Sequence, residues 1–367
     1  MKRYTIPEIE HCHIIGRTTK EREPLTLFWS GAGIELCTTA SELSVELTAD
    51  YDFYEPWIEV ILDGVLSQRR MLDRGKQTVC VFRGLEKGKA RRVKIVKPTQ
   101  APGNDPYSVL QVNAVLADGE FLPVEPYARK IEVIGDSITS SEGVYGAQKE
   151  SSWNGGIFGT YGSYPYLLGE ALDADVHVIS QSGYGVCGSW CGDPSETIPP
   201  YYEEVCGLLK GEWNRELGAH EPWDFTSWQP DYIVINLGTN DSGMFDSAGR
   251  TFPDRQWTNP MRVNTDGSMN EEDRQKVLRT AVEFLKLLRK DNPGSYLLWC
   301  YGMLGGRMEA TMREAVSTYV SETGDRRADF ISLPEAKPEE KGARGHPGFP
   351  SHKIAAEILA QKLKSIE

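Results

Sequence analysis

Four short stretches of the chain carry residue types that could do chemistry together. The first, Val133-Ile134-Gly135-Asp136-Ser137-Ile138-Thr139-Ser140, ends an apolar run on a Gly and a Ser. Gly lets the chain turn sharply off a strand, and a Ser at such a turn can aim both hydroxyl and backbone N–H at a ligand, so Ser137 is the candidate nucleophile. Taken alone, a Gly-Asp-Ser reads better as a helix cap. The second stretch, Ile179-Ser180-Gln181-Ser182-Gly183-Tyr184-Gly185-Val186, places Gly183 where a backbone N–H can approach a reacting carbonyl. In the third, Asn236-Leu237-Gly238-Thr239-Asn240-Asp241-Ser242, the Asn240 amide can donate to developing negative charge, worth about 3–4 kcal/mol where such a donor acts. The fourth, Gly345-His346-Pro347-Gly348, holds a histidine braced by Gly and Pro, the residue type that can take a proton from a serine and return it at neutral pH. His352 reads as a helix-surface residue and His177 lies within a strand. A serine, a base and two donors are the parts of acyl transfer, while Asp136 and Asp241 are expected to brace their loops.

The elements that must position these residues fall into two halves with different periods. From Cys12 to about Leu122 the chain reads in twos: Leu43-Ser44-Val45-Glu46-Leu47-Thr48 alternates strictly, and β-type runs follow at 58–64, 77–82, 92–96 and 110–116. Short strands at turn-limited spacing predict a β-sandwich or jelly roll over residues 1–125. After Pro123-Val124-Glu125-Pro126 the pattern changes. Strands at 130–134, 176–180, 231–236, 296–301 and 328–332 alternate with helices at 164–172, 271–290, 308–323 and 350–364, which predicts a doubly wound, flavodoxin-like α/β domain with a parallel sheet over 126–367. Leu278, Ala281, Val282, Leu285 and Leu288 form one apolar helix stripe. Ligands on such sheets sit at the carboxyl ends of the strands, where the candidate loops begin.

Composition narrows the partners. The chain of 367 residues carries a net charge of −13, a field that repels phosphate backbones and anionic membrane surfaces. No nucleic-acid or membrane partner is expected. The N-terminus is charged where a signal peptide needs an apolar core, and seven scattered cysteines read as reduced thiols, so a cytoplasmic location is expected. Cys187 and Cys191, or His11-Cys12-His13, lack a second ligand pair. Neither a metal nor an organic cofactor is expected.

The four stretches, in this order, resemble the SGNH or GDSL hydrolase superfamily over roughly residues 129–364: Gly135-Asp136-Ser137, then Gly183, Asn240 and His346-Pro347. The resemblance implies Ser137 as nucleophile, His346 as base, and Gly183 and Asn240 as oxyanion donors. No G-x-S-x-G elbow supports an α/β-hydrolase. The family's Asp three residues before the histidine is Ala343 here. A Ser137/His346 dyad is therefore expected, its imidazole oriented by a backbone carbonyl or by Glu339 or Glu340. A β-sandwich before such a domain, with that Asp missing, is similar to carbohydrate esterase family 2, which implies removal of O-acetyl groups from xylan- or mannan-type poly- or oligosaccharides. Tyr184 and Trp190, close to Gly183, are candidate sugar contacts, and the Gly-rich stretch 155–162 a candidate mobile rim. Two rivals remain: a lipase or thioesterase on the same fold, and an inactive carbohydrate-binding protein.

Overall fold

The computed structural model describes residues 1–366. Its first third builds two antiparallel sheets. One orders Lys2–Tyr4, Val109–Ala117, Glu42–Asp50 and Gly75–Arg83, with Leu25–Thr26 also paired to Val109–Ala117. The other orders Phe121–Leu122, Gly33–Thr38, Arg91–Val96, Trp57–Leu62 and Val65–Met71, with His13–Ile15 on Gly33–Thr38. Leu43, Val45, Leu47 and Ala49, every second residue of one strand, share a single core with Ile34, Leu36, Val60, Val93 and Ile95 of the other sheet. Two strands escape the period-two reading. Gly33–Thr38 does not alternate because Glu35 is itself buried, held by Arg92 and the Tyr127 hydroxyl. Val65–Met71 pairs only with Trp57–Leu62 and, at the sheet edge, carries Ser, Gln and Arg.

Residues 129–332 supply a five-stranded, all-parallel sheet ordered Ala174–Ser180, Arg129–Gly135, Tyr232–Asn236, Tyr296–Tyr301, Ala328–Ser332. In chain order that is 2-1-3-4-5, the flavodoxin-like arrangement, whose switch point lies between its first and third strands. Helices Tyr164–Leu172 and Phe349–Lys364 cover one face, and Glu271–Asp291 and Glu309–Thr323 the other. All five strands and all four of these helices lie within two residues of the expected limits, because strands buried on both faces read as uninterrupted apolar runs. A helix at Thr239–Asp246, directly after the third loop, was not legible: its sequence, with Asn240, Asp241, Ser242 and Gly243, has no apolar stripe.

The two halves are locked together. Arg17, fully buried, pairs its Nη2 with Glu132 Oε1 at 2.9 Å across to the parallel sheet and also donates to the Tyr202 carbonyl. Trp29 Nε1 donates to the Val205 carbonyl at 2.6 Å. The Gly-rich stretch is tied to the antiparallel sheets: Gly155 N–H donates to Glu55, Tyr161 N–H to Glu59, and Arg69 to the carbonyls of Gly156 and Phe158. It does not line the cleft described below. No helix among the described residues is long and apolar enough to cross a membrane.

Candidate active site

Ser137 stands two residues beyond the first parallel strand and Asn240 four beyond the third, so the nucleophile turn and the third loop flank the switch point. Gly135 is there because nothing larger fits: a Cβ would lie 2.0 Å from Thr139 Oγ1 and 2.8 Å from the Asn236 carbonyl oxygen. His346, brought in by the segment before the last helix, places Nε2 2.9 Å from Ser137 Oγ. For Nε2 to accept that hydroxyl, Nδ1 must carry the ring hydrogen, and it donates to the Arg344 carbonyl at 3.3 Å. The structure brings the two residues together, with a backbone carbonyl as the acceptor of the ring N–H. Glu340 instead bonds the Lys337 N–H through its carboxylate, and neither it nor Glu339 contacts the imidazole.

The expected oxyanion donors, Gly183 and Asn240, line the same cleft as Ser137 and His346. Gly183 adopts φ +83°, a left-handed conformation that favours glycine. Asn240 Nδ2 donates to the Tyr184 carbonyl at 2.9 Å and, less closely, to Asp136 Oδ2 at 3.3 Å. The shorter bond to the Tyr184 carbonyl fixes the amide. Both aspartates brace, as expected. Asp136 accepts from Ile138 N–H at 3.0 Å, and burial pushes its carboxyl up to about 7, helped by the nearby Asp241 and Glu142. Asp241 ties the third loop to the second by accepting from Val186 and Cys187 N–H at 2.9 and 2.8 Å, and burial pushes it up to about 6.

A cleft of about 550 Å³ opens over this group. One wall comes from the parallel-sheet half: Ser182, Gly183, Trp190, Arg255 and His346. The other comes from the antiparallel sheets, through Tyr54, Gln100, Gly103 and Asn104. Gln100 Oε1 accepts the Ser182 N–H at 2.8 Å, so this wall is bonded to the loop that carries Gly183. Of the two proposed sugar contacts, Trp190 is 39% exposed at the cleft edge, its ring against Phe252 with the Arg255 guanidinium 5.5 Å from its centroid. Tyr184 lines the cleft but is only 7% exposed and acts chiefly through its carbonyl. Tyr54 and Trp153, edge to face at 4.3 Å, add a second aromatic edge. His352 is not a surface residue: it is fully buried, its Nδ1 accepts the Tyr164 N–H at 3.1 Å, and burial pushes its pKa down to about 3.

Two residues beside the Ser–His pair carry no sequence signal. Glu142 lies five positions after Ser137, and its buried carboxylate accepts from Arg344 Nε and from Ser182 Oγ, both at 2.6 Å. Arg344 has φ +57°, a backbone that only the folded loop reveals.

Fold and site together define a hydrolase of the SGNH type, with a Ser–His pair at the carboxyl ends of a parallel sheet. The chain belongs to the GDSL-like Lipase/Acylhydrolase family, whose sequence model matches residues 133–349. An acetyl xylan esterase from the rumen bacterium Butyrivibrio proteoclasticus is 41% identical, covers 99% of this chain and 98% of its own, and superposes with a TM-score of 0.96. A family two carbohydrate esterase from Clostridium thermocellum, solved in complex with cellohexaose, is 25% identical over 96% of this chain and 98% of that one, with a TM-score of 0.78. The cellulase/esterase CelE of Acetivibrio thermocellus is 27% identical over 92% of this chain, which spans 37% of that relative's length.

Proposed function

We propose that the protein is a carbohydrate O-acetyl esterase, a serine carboxylic ester hydrolase that deacetylates xylan- or mannan-type poly- or oligosaccharides through an acetyl-enzyme. The observation that carries the reading is the 2.9 Å contact between His346 Nε2 and Ser137 Oγ at the foot of the cleft. His346 takes the Ser137 proton as Oγ attacks the acetyl carbonyl. The oxyanion is held by the N–H groups of Ser137 and Gly183 and by the Asn240 amide, which turns from Asp136 toward it. The imidazolium then protonates the departing sugar oxygen, and water repeats the sequence on the acetyl-enzyme.

The lining favours a sugar over an acyl chain: Gln100, Asn104, Glu196, Lys210 and Arg255 present hydrogen-bonding groups, with Trp190 and Trp153 as aromatic surfaces. The similarity to an acetyl xylan esterase over nearly the whole chain points the same way. In this reading residues 1–125 form a β-sandwich domain of jelly-roll type and 126–367 the hydrolase domain, the first contributing one wall of the substrate cleft. Acetate release from acetylated xylo- and manno-oligosaccharides tests the proposal. Release by the native protein, abolished by Ser137→Ala and by His346→Ala, is the expected result. No release from these sugars or from p-nitrophenyl acetate would overturn it in favour of a binding protein.

A further inference from the structure

We infer that Glu142, a residue of the nucleophile's own turn, stands in for the carboxylate that the histidine segment lacks, positioning His346 and compensating its charge. The inference deepens the reading of Ser137 and His346 as a catalytic pair and rests on it. The Glu142 N–H donates to the Ser137 carbonyl at 3.0 Å, so the carboxylate is anchored to the turn that presents the nucleophile. The side chain is 2% exposed, and each of its oxygens reaches a different loop. Oε1 accepts from Arg344 Nε at 2.6 Å, in the histidine segment; Oε2 accepts the Ser182 hydroxyl at 2.6 Å, next to Gly183. One buried carboxylate therefore ties together the nucleophile, the base and the oxyanion loop.

Arg344 converts that tie into orientation. It sits at φ +57°, with its N–H on the Glu150 carbonyl at 2.7 Å and its Nη1 on the Ser151 carbonyl at 2.9 Å. In that left-handed backbone its own carbonyl accepts from His346 Nδ1. Glu142 Oε1 is 3.8 Å from the same Nδ1, too far for a hydrogen bond and close enough for charge. When Ser137 gives up its proton, a positive charge forms on the ring beside this carboxylate. Other charged or titratable groups close to this cluster are the Arg344 guanidinium, which opposes that charge, buried Asp136, a neighbour of Glu142, and His352, which burial keeps neutral. Among these, Glu142 and Arg344 act on the imidazolium with opposite sign.

That opposition gives the test. Glu142→Gln can still accept from Arg344 and can donate to the Ser182 hydroxyl, so it keeps both ties and removes the charge. The expected result is a fall in kcat of about 10- to 100-fold with KM changed less than about threefold. The loss is smaller than for a triad whose tautomer is also lost, because the Arg344 carbonyl remains. In an NMR titration of the imidazole, the His346 midpoint should move down in Glu142→Gln and up in Arg344→Met, which removes the opposing charge. Midpoints that stay put, or move the same way in both variants, with thermal melts unchanged, would overturn the inference. The titration needs no turnover: a native protein that releases no acetate would sink the esterase reading, while the NMR shifts would still decide the role of Glu142.

Discussion

Lys97→Met probes how the antiparallel half supports the cleft. The Lys97 amine is buried and its Nζ donates to the carbonyls of Phe28, Thr99 and Gln100 at 3.0, 2.7 and 2.7 Å. Gln100 in turn accepts the Ser182 N–H, so the amine is two residues' reach from the oxyanion loop. Methionine keeps the length and removes the donors. Two carbonyls lose a partner when the amine is neutral and three when it is charged, a gross loss of about 2–9 kcal/mol at ~1–3 kcal/mol per unsatisfied group. Relief of the buried amine offsets part of this: burial lowers its pKa from 10.5 to about 7, which corresponds to ~5 kcal/mol between its charged and neutral forms. A net destabilisation of about 2 kcal/mol is expected at pH 7. The sign of its pH dependence follows from linkage. Between the folded value near 7 and the unfolded value of 10.5, the unfolded chain binds a proton that the native protein does not, so native stability rises with pH through this window. The methionine variant lacks that contribution, so its deficit should grow by about 3 kcal/mol from pH 7 to pH 9.5. Urea unfolding of both proteins at the two pH values, followed by tryptophan fluorescence, measures it. An equal deficit at both would refute the assignment of a depressed amine, and a methionine variant as stable as the native protein at pH 9.5 would refute the carbonyl accounting.

Asn240→Ala should lower kcat for acetate release by about 10²–10³-fold with little change in KM, as expected for a donor used chiefly in the transition state; an unchanged kcat would remove Asn240 from the oxyanion site. Arg17→Met leaves Glu132 buried with the Tyr202 hydroxyl as its remaining side-chain partner among the described residues and should cost about 3–5 kcal/mol in denaturant unfolding, most of it recovered in Arg17→Met/Glu132→Met. Trp190→Ala should raise KM for acetylated oligosaccharides about tenfold, the equivalent of ~1.4 kcal/mol, and leave p-nitrophenyl acetate hydrolysis unaffected. Equal effects on both substrates would move Trp190 from sugar contact to loop packing.

The amino-acid order alone determined the parallel-sheet half and the residues at its strand ends. A strand buried on both faces must be apolar throughout, and a chain leaving it at a turn too tight for a Cβ must use glycine, so Gly135-Asp136-Ser137 and its three companion loops are local statements that survive without coordinates. Even the missing carboxylate was legible, as Ala343. What replaces it was not. Glu142 and Arg344 are 202 positions apart, and neither belongs to a periodic pattern or a spaced motif; an ion pair between distant loops exists only once the sheet has brought their strands' ends together. The same holds for the cleft's second wall. Gln100 and Asn104 sit in a connection of the antiparallel half whose sequence is ordinary turn chemistry, and only the packing of one half on the other, through Arg17 and Trp29, carries them to the reacting serine. Local sequence specifies local geometry, whereas a site's electrostatics depend on distances between groups, and those are set by the fold as a whole.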